Sequence, residues 1–230
     1  MKYTSIILLM ALIVPSLTNG QLLEVGGAIG GSNFIGDVGS TTFISPNNIA
    51  VSGLVKWNRS RRHSFRGSLT YTKLEALDRK SSDPRRVERN YQFAKQIIEI
   101  SGGLEFNFFD FNTFAGGGES TPYLATGISA LYHSNFYFNN GVLVPENTKS
   151  WAFGIPIIAG YKTTLTDRLI LGAEIGVRYS YSDEIDGSLP DSEKLHDDFS
   201  FGNLSNNDWY TFTQITLTYT FGRKPCFCEY

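Results

Sequence analysis

The sequence predicts an all-β fold: an eight-stranded antiparallel up-and-down transmembrane β-barrel of the outer-membrane type. Three observations lead there. Segments of strict polar–apolar alternation recur along the chain, and several exceed the ~5–6 residues usual in soluble sheets. The connections between them alternate between long and short, as in barrels with loops on one side and turns on the other. Aromatic residues gather towards the segment ends, where a bilayer has its interfaces.

The elements follow in order. Residues 1–20 read as a cleavable export signal: a basic start at Lys2, an apolar run over 5–17, then the small residues Thr18, Asn19 and Gly20. The run is short for a membrane helix, which needs roughly 20 apolar residues. The first strand, 23–32 (LEVGGAIGGS), is rich in glycine, which suits a tight barrel. The second, 49–58, sets Val51, Gly53, Val55 and Trp57 against Ser52, Lys56 and Asn58. The third, 64–72, sets Phe65, Gly67, Leu69 and Tyr71 against Ser64, Arg66, Ser68 and Thr70. The fourth, 96–108, alternates Ile98, Ile100, Leu104, Phe106 and Phe108 with Glu99, Ser101, Glu105 and Asn107. A fifth, 122–132, has no clear outward face. The sixth, 152–162, carries Phe153, Ile155, Ile157, Ala159 and Tyr161 on one side. The seventh, 169–181, opposes Leu171, Ala173, Ile175, Val177 and Tyr179 to Glu174 and Arg178. The last, 209–221, opposes Ile215, Leu217, Tyr219 and Phe221 to Gln214, Thr216, Thr218 and Thr220.

Long connections are expected at 33–48, 73–95, 134–150 and 182–208. The others are NRSRRH, DFNTFAGGGEST and TTLTD. An even strand count then puts both termini in the periplasm and the four long loops outside the cell. The domain reading is an export signal at 1–20, a barrel over 21–222 and a periplasmic tail over 223–230.

Alternation alone fits a soluble barrel of lipocalin type equally well, because either face can be the wet one. Rings at both strand ends favour the bilayer. The polar face is then the lumen, and an eight-stranded lumen is just wide enough for side chains. Lys56, Arg66, Glu99, Glu105, Glu174 and Arg178 project into it. Arg66, Glu99 and Glu105 are the available partners of Glu174 and Arg178.

Charge narrows the function classes. Without residues 1–20 the chain carries 19 basic and 22 acidic side chains, a net of −3. No nucleic-acid partner is expected, since such proteins show a basic excess. The histidines His63, His133 and His196 stand in no nucleophile–base pattern, so no catalytic residue is expected. No cofactor is expected. The acidic stretch with Asp183, Glu184, Asp186, Asp197 and Asp198 lacks calcium-loop spacing and reads as a solvated loop, not a metal site. Residues 73–95 hold seven basic and four acidic side chains; residues 183–198 hold seven acidic and one basic. These loops could pair with each other, meet lipopolysaccharide phosphates and divalent ions, or stay solvated.

The last strand ends in Tyr219-x-Phe221, which resembles the C-terminal insertion signal of outer-membrane barrels. The ending NDWYTFTQITLTYTFGRKPCFC resembles that of the PorG-type barrels of the Bacteroidota type IX secretion system. So do GGSNFIGDVG, VKWNRSRRHSFR, ISGGLEFNFFDF and LILGAEIGVRYSYSDEIDGS. The resemblance implies a non-enzymatic component of that protein-transport machinery, contacting a periplasmic ring of the lipoprotein PorK and its partner PorN, with gliding motility in some members. The partners implied are outer-membrane lipids and that ring. The contact residues would be Arg59, Arg61 and Arg62 in one turn and Arg223, Lys224, Cys226 and Cys228 in the tail. Cys226 and Cys228 form a strained bond, two thiols or a link to another chain; the residues leave all three open. The alternative is a small OmpA/OmpX-type barrel serving envelope integrity or adhesion.

Overall fold

The computed structural model describes residues 22–114, 117–203 and 207–222; the expected export signal and tail lie outside the described residues. Eight strands close into one antiparallel barrel in chain order. They are β1 (Leu22–Ile35), β2 (Asn48–Asn58), β3 (His63–Leu77), β4 (Gln92–Asn107), β5 (Ser120–Asn139), β6 (Val142–Thr164), β7 (Leu169–Ser180) and β8 (Trp209–Phe221). Closure runs along β1 and β8, from Leu23↔Phe221 to Ile35↔Trp209. The glycines of β1 make this seam possible. A Cβ on Gly26 would run into the Leu217 carbonyl oxygen, and one on Gly30 into that of Thr213.

Two long connections differ from the expectation. Strands β3 and β4 continue well past Thr72 and Gln96, pairing as far as Leu77↔Gln92, so the loop shrinks to residues 78–91. It holds a short helix, α1 (Pro84–Arg89), capped by the Asp83 carboxylate on the Arg85 amide. The segment 134–150 is no loop. It is the far end of the β5–β6 hairpin, which turns at Asn140 and Gly141 with φ of 48° and 84°. Two consecutive positive φ values are what a two-residue hairpin turn needs, and Asn-Gly supplies them at low cost. The loop end therefore carries three long connections and one long hairpin, instead of four loops. The strands here stand beyond the apolar zone, where outward residues are mixed: Ser134, Asn139 and Lys149 are polar while Val142 is apolar and exposed, so the alternation that marks a strand fades.

The fifth strand's face is now defined. Leu124, Thr126, Ile128 and Ala130 point outward, and Tyr123, Ala125, Ser129 and Leu131 point inward. Around the whole wall the outward residues form an apolar belt: Ile29 is 61% exposed, Ile128 75% and Phe153 63%. Tyr71, Tyr132, Trp151, Tyr181 and Trp209 rim it at the loop end. Trp57, Phe65, Phe106, Phe108, Tyr161, Tyr219 and Phe221 rim it at the turn end. Between the rims no outward side chain among the described residues is charged. An apolar surface that encircles the molecule far exceeds the few hundred Å² a water-soluble monomer tolerates. Its two aromatic girdles match a bilayer and its interfaces.

Candidate functional site

The lumen is filled in layers. Nearest the turn end lies an ionic layer of six charges: Lys56, Arg66 and Lys162 against Glu24, Glu105 and Glu174, all buried. Equal numbers make it neutral, which a dry interior demands. Glu105 is its hub, 2.7 Å from Lys56 Nζ, 2.6 Å from Lys162 Nζ and 3.5 Å from Arg66 Nη1. Arg66 forks onto Glu174, donating at 2.7 and 2.6 Å. The Tyr123 hydroxyl donates to the same carboxylate at 2.5 Å. Glu24 accepts from Asn58 Nδ2 at 2.6 Å and Thr218 Oγ1 at 3.2 Å. Phe111, from the β4–β5 connection, closes this end with its ring 4.8 Å from Lys162 Nζ.

Towards the middle, Arg178 Nε lies 3.4 Å from Glu99 Oε2, and the guanidinium stacks over Phe212 at 4.1 Å. The six sequence-nominated lumen charges thus fall into two groups, Glu105 with Lys56, Arg66 and Glu174, and Glu99 with Arg178. Sequence reading missed Lys162 and Glu24. Lys162 lay on the undescribed face of the sixth strand. Glu24 was hidden in a glycine-rich segment whose alternation was too weak to assign a face.

The loop end is sealed by an apolar cluster that includes Phe34, Val38, Phe93, Phe136, Ile185, Tyr210 and Phe212. Ile185 belongs to the acidic connection between β7 and β8. That connection is not a solvated loop: Ile185, Asp186, Ser188 and Asp208 are all fully buried, and Asp183 is 6% exposed. It folds into the barrel mouth because it satisfies backbone donors there. Asp186 accepts from the amides of Asp37 at 2.7 Å, Val38 at 3.0 Å and Ser188 at 2.9 Å. Asp208 accepts from the Ile185 amide at 3.0 Å. The basic connection grips the same β1–β2 loop from the other side. Arg86 donates to the carbonyls of Gly36 and Gly39, and Arg89 to that of Asp37. Asp78 accepts from the Gly39 amide at 2.7 Å and is paired with Arg89 at 2.8 Å. Among the described residues no ion pair joins the two oppositely charged connections; they meet where Arg89 stands over the Phe201 ring at 4.9 Å. They clamp the β1–β2 loop between them, and the result is a folded cap.

Burial leaves its mark on the cap's acids. Asp183 is pushed up to about 7, chiefly by burial and then by the nearby carboxylates of Asp186 and Asp37. Asp208 and Asp186 are also raised, by burial first. Among the described residues neither Asp183 oxygen has a hydrogen-bond partner.

At the turn end Arg59 and Arg62 are exposed and Arg61 is half-buried. Arg62 is paired with Asp110, so its charge is partly met within the chain. The carbonyls of Arg61 and Arg62 accept from Phe111 and Asn107 amides at 3.2 and 2.8 Å, which fixes the turn against the Phe111 plug. Arg168, in the β6–β7 turn and unforeseen, stands on the same rim and donates to Tyr219 Oη at 3.2 Å. Arg223, Lys224, Cys226 and Cys228 lie outside the described residues. Tyr219 and Phe221 face outward on β8, 38% and 50% exposed, with ring centroids 4.8 Å apart. Replacing both with alanine is expected to lower the yield of folded barrel, measured as the heat-modifiable band on a gel. A double variant that folds in normal yield would remove their insertion role.

His133 is buried beside Lys95, with Nδ1 3.1 Å from Lys95 Nζ, and His63 tilts against Phe106 at the turn end. His196 Nε2 donates to the Pro190 carbonyl, 2.8 Å away, in a mouth-side helix turn.

Residues 3–230 match the model of a family described as Domain of unknown function (DUF6089), and the chain belongs to that family. No curated protein matches the sequence. Among solved structures, a major outer membrane protein of Thermus thermophilus superposes with a TM-score of 0.53 at 13% identity. The match covers 87% of this chain and 99% of that one. Neisserial surface protein A gives 0.49 at 11% identity, covering 88% and 98%. The N-terminal β-barrel domain of Pseudomonas aeruginosa OprF gives 0.43 at 11%, with the same coverage. The Thermus likeness supports the architecture, a closed eight-stranded barrel of the outer-membrane kind.

Proposed function

We propose that this member of the DUF6089 family is a non-enzymatic barrel of the outer membrane, of the small OmpA/OmpX-like kind that serves envelope integrity or adhesion. The observation that carries the reading is the sealed interior. Among the described residues a neutral ionic layer, a Phe111 plug and an apolar stopper fill the lumen, so the working surfaces are the two ends. On this reading the termini and turns face the periplasm, and the clamped cap faces outward as a preformed contact surface. The full-length protein is expected in the outer-membrane fraction, with heat-modifiable migration and β-rich circular dichroism in detergent. Recovery as a soluble periplasmic monomer would end the reading.

A second reading gives the turn end a partner: the periplasmic PorK/PorN ring of type IX secretion, with gliding where the two are linked. It is supported by the sequence resemblance and by the exposed guanidiniums of Arg59, Arg62 and Arg168, groups suited to forked contacts with carboxylates. Truncation after Arg223 tests it, because the last strand stays whole. Normal barrel assembly with reduced recovery of PorK and PorN from solubilised envelopes is the expected result. Full recovery would remove the tail, with Cys226 and Cys228, as a docking element. Absence of both ring proteins from wild-type eluates would leave only the first reading.

A further inference from the structure

The ladder between β4 and β5 stops at Ile98↔Tyr132. Both strands nevertheless run on, β4 back to Gln92 on the side of β3 and β5 forward to Asn139 on the side of β6. The wall opens there in a V. A register shift accompanies the split: from Ser134↔Lys149 to Phe136↔Pro145 β5 advances two residues and β6 four, so the extra residues are on β6, while on β5 Asn135 and Phe136 are both buried. The cleft has a volume of about 650 Å³. Its lips carry Tyr71, Lys73, Tyr132 and Lys149, and Lys95 and His133 stand at its back. Strand edges without partners are not tolerated in hydrocarbon. The cleft therefore sits at the interface, level with the loop-end girdle.

The back of the cleft holds buried donors with few acceptors. Lys95 is 6% exposed, and among the described residues its near contacts are His133 and the Phe136 ring, 5.2 Å from Nζ, not a carboxylate. Asp208, Asp186 and Glu184 act on it only from further away. Its close partner is His133 Nδ1 at 3.1 Å. Nδ1 also approaches the Ser134 carbonyl at 3.4 Å, a longer contact; with Nδ1 accepting from the ammonium, the ring proton stands on Nε2. His133 is 2% exposed, and its Nε2 finds no partner among the described residues. At the lips, Lys149 Nζ lies 5.5 Å from the Tyr132 ring centroid, and Lys73 reaches Glu75 at 3.4 Å. Below them the outward wall is apolar, with Tyr71, Ile98 and Tyr132.

We propose that this cleft binds the phosphate group of a lipid from the surrounding leaflet, its acyl chains lying down the wall below Tyr71 and Tyr132. Buried donors at the back and lysines at the lips suit a multiply accepting anion. The apolar wall beneath explains why the anion is carried on a lipid. The inference rests on the bilayer placement proposed above and is independent of either partner reading.

Native mass spectrometry of the full-length protein released from detergent tests it. The probes are dioleoyl phosphatidic acid and dioleoylglycerol, which share chains and differ in the phosphate. Phosphatidic acid is expected to bind at least about tenfold more tightly, a difference of about 1.4 kcal/mol. Lys73→Glu with Lys149→Glu, both at exposed lip positions, should abolish that preference while leaving heat-modifiable migration intact. Lys95→Met should do the same; if it fails to fold, the lip variant decides alone. Equal binding of the two lipids, or an unchanged preference in the lip variant, would overturn the proposal. Displacement of phosphatidic acid by millimolar inorganic phosphate would show a site for the free anion and overturn the lipid assignment. A protein that never folds in micelles would instead undo the bilayer placement, so the two failures are distinguishable.

Discussion

Glu105→Ala is expected to lower the stability of the folded barrel by about 3–5 kcal/mol, the cost of leaving a buried charge without its partner. Glu105 is 1% exposed and holds Lys56, Lys162 and, at the edge of contact, Arg66. Its removal turns a neutral layer into one with an excess positive charge, enclosed by Phe111 on one side and the apolar stopper on the other. Arg66 keeps its fork on Glu174, so the loss falls on the two lysines. Reversible unfolding in urea and detergent, read by tryptophan fluorescence, gives the number. A change below about 1 kcal/mol is what solvent-exposed pairs show. It would mean that water reaches the layer and that the lumen is not sealed.

Raising the pH from about 4 to about 8 is expected to loosen the cap. Asp183, Asp186 and Asp208 are raised in the folded chain above their ordinary values, so folding favours their protonated forms. The sign follows from linkage. The stabilising contribution is complete below the free carboxylate value near 3.9 and is lost as the pH rises through the folded value, about 7 for Asp183. The three raised acids act in the same direction, so ionising them favours local opening of the cap. Lys95 lies behind this group and attracts the ionised forms of Asp208 and Asp186, and of Glu184 beside them. Hydrogen exchange at the amides of Ile185, Gly187 and Ser188, corrected for intrinsic rate, should show protection falling with pH. Asp183→Asn should flatten that dependence, because this carboxyl has no hydrogen-bond partner among the described residues to lose. Protection that stays constant from pH 4 to 8 would show that the three acids are solvated.

Much of the architecture was legible in the sequence because alternation is a local property. A period of two assigns faces strand by strand, and the ends of β2, β7 and β8 fall within a residue of where the pattern puts them. The same alternation sends Lys56, Arg66, Glu99, Glu105, Glu174 and Arg178 to the polar face without any knowledge of the fold. Legibility failed where the local pattern stops reporting on burial. Beyond the bilayer the outward face need not be apolar, so polar and apolar residues mix there, and the β5–β6 hairpin looked like a loop despite its Asn140–Gly141 turn. Residues 183–198 looked solvated because seven acids in so short a stretch normally are.

What the sequence by itself determined is therefore the barrel, its strand number and six of the charges that face its lumen. Which charges meet there was decided only by closure. Partners such as Glu105 and Lys162 are 57 residues apart and sit on strands that share no edge. Their contact depends on strand tilt and register summed around the ring, which no single segment encodes. The cap has the same origin: Asp186 is buried because amides 148 and 149 residues away need an acceptor. A buried charge is tolerated only by the partners that the completed fold brings to it, and those partners exist only in three dimensions.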